Sequence, residues 1–214
     1  MKKNLFKIIS VAILLLIVTA GCKKDIPVTG VTPAEPEEKG VMINGVTWST
    51  RNVDKPGTFA AKPEDAGMFY QWNRNIGWST TDPLTPSSGS ATLPTTTPSG
   101  DSWITANDPC PTGWRVPTRA ELDKLVSAGS VWKSTGVPGI IFGSGDNTVF
   151  FPAAGYRVGD GMLVLGGDNG IYWSGTPNPD YSMFAYYLGF YSGNAYTDGY
   201  LSRRDGFLVR CVSE

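Results

Sequence analysis

Histidine is absent from all 214 residues. That removes Ser-His-Asp and Cys-His catalysis and every His-ligated metal site. Charge is also scarce: 17% of residues are charged and the net charge is −1. Past the N-terminal segment no run of Lys or Arg suggests a nucleic-acid partner. The carboxylates form no paired cluster that reads as a general acid and base. No catalytic residues, metal ligands or cofactor are therefore assigned. No internal repeat of fixed period is visible. Lys, Glu and Gln are missing from Ser134 to Ser213, although the earlier part contains all three.

The N-terminus carries the clearest pattern. Lys2, Lys3 and Lys7 precede the apolar run "IISVAILLLIVTAG", which ends at Cys22. A basic start, an apolar stretch and small residues before a cut site describe a secretory signal. The run is short for a membrane span of about 20 residues. "TAGC" resembles a bacterial lipobox, with Thr19 where Leu is usual. Residues 1–21 are thus expected to be a lipoprotein signal peptide and Cys22 the lipidated residue. Residues 22–40 are rich in Pro, Glu and Thr without periodicity, and read as a flexible tether. The expected location is the bacterial outer membrane, lipid-anchored and surface-exposed.

Residues 41–214 read as one domain of short strands. Asn44-Gly45 between Val41/Ile43 and Val46/Trp48 is a hairpin signal. "AGMFYQWNR" reads as a strand, and residues 76–104, rich in Ser, Thr, Pro and Gly, as a long surface loop. One helix is convincing, within "GWRVPTRAELDKLVSAG": Thr118 and Glu121 fit a capping box, Leu122, Leu125 and Val126 share a face, and Gly129 stops it. Short strands follow, ending in "FLVRCV", which reads as inside–outside alternation with Phe207, Val209 and Cys211 on one face. Cys110 and Cys211 permit one long-range disulfide in an oxidising compartment; two buried thiols are the alternative. The bridge is the expectation.

"DPCPTGWRVPTRAELDKL", "FFPAAGYR", "IYWSGT" and "GFLVRCV", in that order, resemble the Fibrobacter major paralogous domain, a family common in lipoproteins of gut Bacteroidetes. "GVTWSTRNVDKPGTF" and "EDAGMFYQWNR" extend the likeness, which covers about 41 to 214. The resemblance implies an α+β, C-type lectin-like fold of the formylglycine-generating-enzyme branch, in which the chain termini pair as strands. "IYWSGTPNPDYSMFAYYLGFYSGNAYTDGYLSRRDGFLVRCV" is further similar to the variable proteins diversified by retroelements. On that likeness Trp173, Ala185, Leu188, Phe190, Arg203 and Val209-Arg210-Cys211 are scaffold. The variable binding region spans about 171–208. Its implied mutable positions are Tyr187, Gly189, Tyr191, Tyr196, Asp198, Tyr200, Ser202, Arg204 and Asp205, with Tyr181, Ser182 and Phe184 as neighbours.

Adenine mutagenesis of an AAC or AAT codon yields Tyr, Ser, Asp, Gly, Arg or Phe, and never Lys, Glu, Gln, Met or Trp. The missing Lys, Glu and Gln fit this; Met183 does not. The expected function is ligand binding by a diversified face, because Tyr gives wide contact area while Ser, Gly and Asp adapt. These side chains are expected to project onto one contiguous face. The expected partner is a protein, cell-surface or glycan ligand, besides the membrane. The alternatives are a non-diversified structural or fimbrial subunit, a calcium-dependent sugar lectin, for which "TPNPD" is a poor motif, and a formylglycine-type enzyme, for which the cysteines suit a scaffold bridge better.

Overall fold

The structure is a computed structural model and describes residues 37–164 and 166–214. The signal segment, Cys22 and most of the tether lie outside the described residues. The compact unit begins at Glu38. The Glu38 carboxylate accepts from the backbone of Gly40 and Thr50 and pairs with Arg51 at 2.9 Å. The folded part thus starts three residues before the boundary that composition suggests.

In chain order the elements are β1 (Val41–Ile43), β2 (Val46–Trp48), β3 (Met68–Gln71), β4 (Gly77–Ser79), a 3-10 turn at Thr105–Asn107, β5 (Trp114–Arg115) and helix α1 (Arg119–Ser127). Then come β6 (Ser130–Lys133), β7 (Gly139–Ser144), β8 (Asn147–Pro152), β9 (Tyr156–Arg157), β10 (Leu163–Val164) and β11 (Asn169–Pro177). The last are β12 (Phe184–Tyr191), β13 (Asn194–Tyr196), β14 (Tyr200–Ser202), β15 (Gly206–Phe207) and β16 (Val212–Ser213). Among the described residues the result is mostly antiparallel sheet with one short helix, α+β in class.

Among the described residues the strands form four sheets. β16 sits between β2 and β5, with Val212 opposite Trp48, so the end of the domain pairs with its first hairpin. β15 sits between β9 and β3. β12 is the centre of the sheet that carries the candidate site, flanked by β11 on one edge and by β13 and then β14 on the other.

Local chemistry accounts for the elements. The β1–β2 turn has Asn44 at φ 47° and Gly45 at φ 77°, the paired positive angles that a two-residue hairpin needs. Helix α1 starts at a complete capping box: Thr118 accepts from the Glu121 backbone and Glu121 accepts from the Thr118 backbone. Leu122 and Leu125 face inward, and Gly129 at φ 83° ends the helix.

Glu121 also receives a two-pronged bond from Arg115, at 2.6 and 2.9 Å. Burial alone would raise this carboxyl, but the Arg115 fork and the Thr118 donors outweigh it and hold it at about 2. A folded value below the ordinary 4.5 contributes stability above that pH, and the contribution is lost as pH falls toward 2. Glu121→Gln should therefore flatten the acid limb of a stability-versus-pH curve below pH 4.5. An unchanged acid limb would show that the cap carries no such linkage.

Two apolar cores lie on either side of the central sheet. One contains Trp48, Phe142, Phe151, Leu188, Phe190 and Leu208 beneath α1. The other contains Trp72, Trp173, Ala185, Tyr187, Phe207 and Val209. The segment Phe207–Val212 runs between them, and every one of its side chains is buried. Phe207, Val209 and Cys211 do share a face, as expected, but the opposite residues Leu208 and Val212 enter the first core instead of solvent. Inside–outside alternation is here alternation between two interiors. Cys110 and Cys211 form the expected disulfide, 101 residues apart in sequence.

Candidate functional site

Successive side chains of a strand point to opposite faces, so β12 divides the region 171–208 in two. Leu188 and Phe190 enter the first core, and Phe184 and Tyr186 share their side of the strand. Ala185, Tyr187 and Gly189 turn to the other face. The strand pairings extend this division: Tyr200 lies opposite Tyr186, Leu201 opposite Ala185, and Tyr196 opposite Gly189.

On the first face, past the end of the core, four aromatic rings meet. Tyr181 stacks on Tyr200 with ring centroids 5.7 Å apart. Phe184 meets Tyr181 and Tyr200 edge-on at 6.2 and 5.8 Å, and Tyr186 meets Tyr200 at 6.2 Å. The Arg119 guanidinium lies 4.1 Å over the Tyr186 ring. Tyr181 and Tyr200 are 54% and 42% exposed, and Met183 beside them is more open still. The rings therefore stack on one another at the surface and not against the interior.

The expectation of one contiguous outward face is corrected here. Tyr187 is only 8% exposed, packs edge-on against Phe207 at 5.6 Å, and belongs to the second core. Burial, followed by the neighbouring Tyr196 hydroxyl, pushes its phenol upward. Gly189 is buried because rings occupy the place of its side chain: a Cβ there would stand 2.6 Å from Tyr196 and 2.8 Å from Tyr187. Gly199 plays the same part beneath the Tyr187 hydroxyl, where a Cβ would approach to 2.6 Å. Tyr196 is half-buried over this pair. Odd positions of β12 cannot join the even ones on a single surface.

The remaining expected positions scatter. Tyr191 is exposed at the far end of β12, roughly 20 Å from Phe184 at about 3.3 Å per residue. Asp198 is exposed between β13 and β14. Ser182 is exposed next to the rings, and Ser202 is half-buried opposite Phe184. Arg204 and Asp205 turn toward Gly159 and Asp160 instead. There burial pushes the Asp205 carboxyl up to about 6, with Asp160 adding to the rise while Arg204 and the Gly159 N–H oppose it.

The structure therefore joins Tyr181, Phe184 and Tyr200, flanked by Ser182 and Ser202. It adds Tyr186 and Arg119, which sequence reasoning missed. Strand parity was the available signal: Tyr186 shares its face with Phe184, whereas Tyr187 cannot.

A cleft of about 530 Å³, lined by none of the four rings, has residues 97–101 on one side and Asn178, Ser182, Met183 and Arg203 on the other. Its far wall is held in place by Asn73, which donates to Ser99 O and accepts from Ile104 N. Arg203 donates to Gly100 O and Phe184 O and lies 4.1 Å over the Trp72 ring. Wall and patch thus share one anchor. No group of three His, Cys, Asp or Glu side chains stands together among the described residues as a metal site would need. Comparison with protein-family models, with curated proteins and with solved structures finds no match to this chain.

Proposed function

We propose that this protein is a lipid-anchored outer-membrane protein whose C-type lectin-like domain binds a ligand through the aromatic face. The face consists of Tyr181, Phe184, Tyr186 and Tyr200 beside the cleft. One observation carries the reading: four rings cluster at the surface where no core lies over them. Exposed Tyr on a rigid sheet offers large contact area with little ordering cost on binding. The pairing of β16 with the first hairpin supports a lectin-like scaffold of the kind the motifs imply. Retroelement diversification is the proposed origin of the region, and it finds room at Tyr191, Asp198, Tyr200 and Ser202. Tyr187 and Gly189 are held by packing.

The double variant Tyr181→Ser/Tyr200→Ser tests the face. Four ring pairs are lost, each worth about 0.5 kcal/mol at the low end that such exposed rings reach, so stability should fall by about 2 kcal/mol. Every signal the wild-type protein gives on a glycan array or on intact cells should vanish. Full retention of those signals with both rings removed would end the proposal. The origin has its own test in the flanking DNA, where a near-copy of the 3′ coding region should stand beside a reverse transcriptase gene.

A further inference from the structure

Arg119 opens α1 directly after the Thr118 cap, and its guanidinium lies 4.1 Å over the Tyr186 ring. Its backbone N–H donates to the Thr176 hydroxyl at 3.0 Å, which fixes the start of the helix against β11. The carboxylates nearest in sequence are engaged elsewhere: Glu121 holds Arg115, and Asp123 accepts from the Thr197 hydroxyl. Among the described residues no carboxylate pairs with Arg119, and its buried Nε has no hydrogen-bond partner.

This is a poor place for a cation. The first turn of a helix carries the positive end of its dipole, so an acid stabilises there and a base does not. A buried N–H without a partner adds a further cost. The Tyr186 ring offsets part of this through cation–π attraction, but it supplies no acceptor for the planar fork of N–H groups.

The surface beside this cation is apolar and continuous. Tyr186 meets Tyr200 at 6.2 Å, and Tyr200 meets Tyr181 and Phe184 at 5.7 and 5.8 Å. Met183, next in the chain to Phe184, is 58% exposed. None of these rings lines the nearby cleft. Small ligands are taken in concave sites, whereas Tyr, Met and Arg gathered outside a cleft have the composition of a protein interface. An extended segment of about five residues, at about 3.3 Å each, spans the contacts from Arg119 to Tyr181. A carboxylate is the partner that a guanidinium fork matches best in such a segment.

We infer that the aromatic face docks an acidic protein segment, which sets an Asp or Glu carboxylate against the Arg119 guanidinium and an apolar side chain against Tyr181 and Tyr200. The inference rests on the binding reading above and names the partner for that face. It places one charged contact outside the region 171–208.

A phage-displayed library of random dodecapeptides, selected on the purified protein, tests it. The winning sequences should carry Asp or Glu within about five residues of an aromatic or aliphatic side chain. A synthetic copy of a winner should lose about tenfold in affinity by calorimetry on Arg119→Gln, and about as much when its own acid is changed to the amide. On the Arg119→Gln protein the amide change should cost nothing further, since both changes remove one contact. Gln suits a helix as Arg does and takes a cation away from the positive end of the dipole, so the melting temperature should hold. Selection of no peptide, winners without acids, or a winner whose affinity changes by less than about twofold on Arg119→Gln overturns the acidic partner. Arg119-dependent binding of a heparin tetrasaccharide where no acidic peptide binds overturns the protein assignment. If Arg119→Gln keeps every array and cell signal that Tyr181→Ser/Tyr200→Ser abolishes, the aromatic face stands and the acidic partner falls. If peptide binding survives Tyr181→Ser/Tyr200→Ser but is lost in Arg119→Gln, the aromatic face falls and the acidic contact stands.

Discussion

Replacing Cys110 and Cys211 together by Ala should lower the stability of the domain by about 3–5 kcal/mol. The bridge spans 101 residues and ties the segment before α1 to the stretch between the two cores. Closing a loop of that size removes chain entropy from the unfolded state, up to about 4.7 kcal/mol. The native contacts around Cys211 remain, since it is fully buried and its N–H bonds to the Ser49 hydroxyl. The fold should therefore persist at low temperature and melt roughly 10 °C earlier, at about 2–4 °C per kcal/mol for a chain of this size. Urea unfolding of the oxidised protein against the double variant measures the difference. A loss under 1 kcal/mol would mean that the unfolded state gains nothing from the missing bridge.

A second large loss is expected at Arg210. Its guanidinium is buried and spends all three nitrogens: Nε on Asn52 Oδ1 at 2.9 Å, Nη1 on Ser49 O at 3.0 Å, and Nη2 on Phe150 O at 2.9 Å. It also lies 4.4 Å over the Phe151 ring. Burial pulls its pKa down to about 10, so it remains charged at neutral pH. Arg210→Met keeps much of the volume but strands three acceptors in the interior, each worth about 1–3 kcal/mol when unsatisfied. The expected cost is about 3–5 kcal/mol. Arg210→Lys should recover only part of it, because an ammonium cannot reproduce the planar fork or its stacking. Equilibrium urea unfolding reads both variants. An Arg210→Met protein within 1 kcal/mol of wild type would show that water replaces the guanidinium and that the network is not structural.

Both losses concern the segment 206–213, where sequence and structure part ways most clearly. "FLVRCV" has the alternation of a strand with one solvent face, and period-2 patterning cannot tell a solvent face from a second interior. Arg210 falls on the face opposite Phe207, Val209 and Cys211. It is inward because the Ser49 and Phe150 carbonyls and Asn52, from segments up to 161 residues away in sequence, converge on it.

The candidate site shows the same limit. The exposed rings of Tyr181 and Tyr200 fall within the region 171–208 that the resemblance implies. Composition could not divide Tyr186 from Tyr187, because that depends on which edge of β12 meets the second core. Gly189 was legible as a glycine but not as a seat for the Tyr196 ring across the strand pair. The cleft residues were less legible still. Asn178 and Arg203 are 25 positions apart, and only the fold brings them into one cleft with Ser99 and Gly100.

Determined by sequence alone were the elements whose physics is local. The Asn44-Gly45 hairpin needs two positive φ angles, and the Thr118–Glu121 cap needs an oxygen three residues from an orphan N–H. The absence of His already closed whole classes of chemistry. The tertiary structure decided which faces are interior, which rings remain at the surface, and which polar side chains are left with unused donors. Those outcomes depend on contacts between segments far apart in the chain, and no local periodicity encodes what will be packed against the other side of a strand.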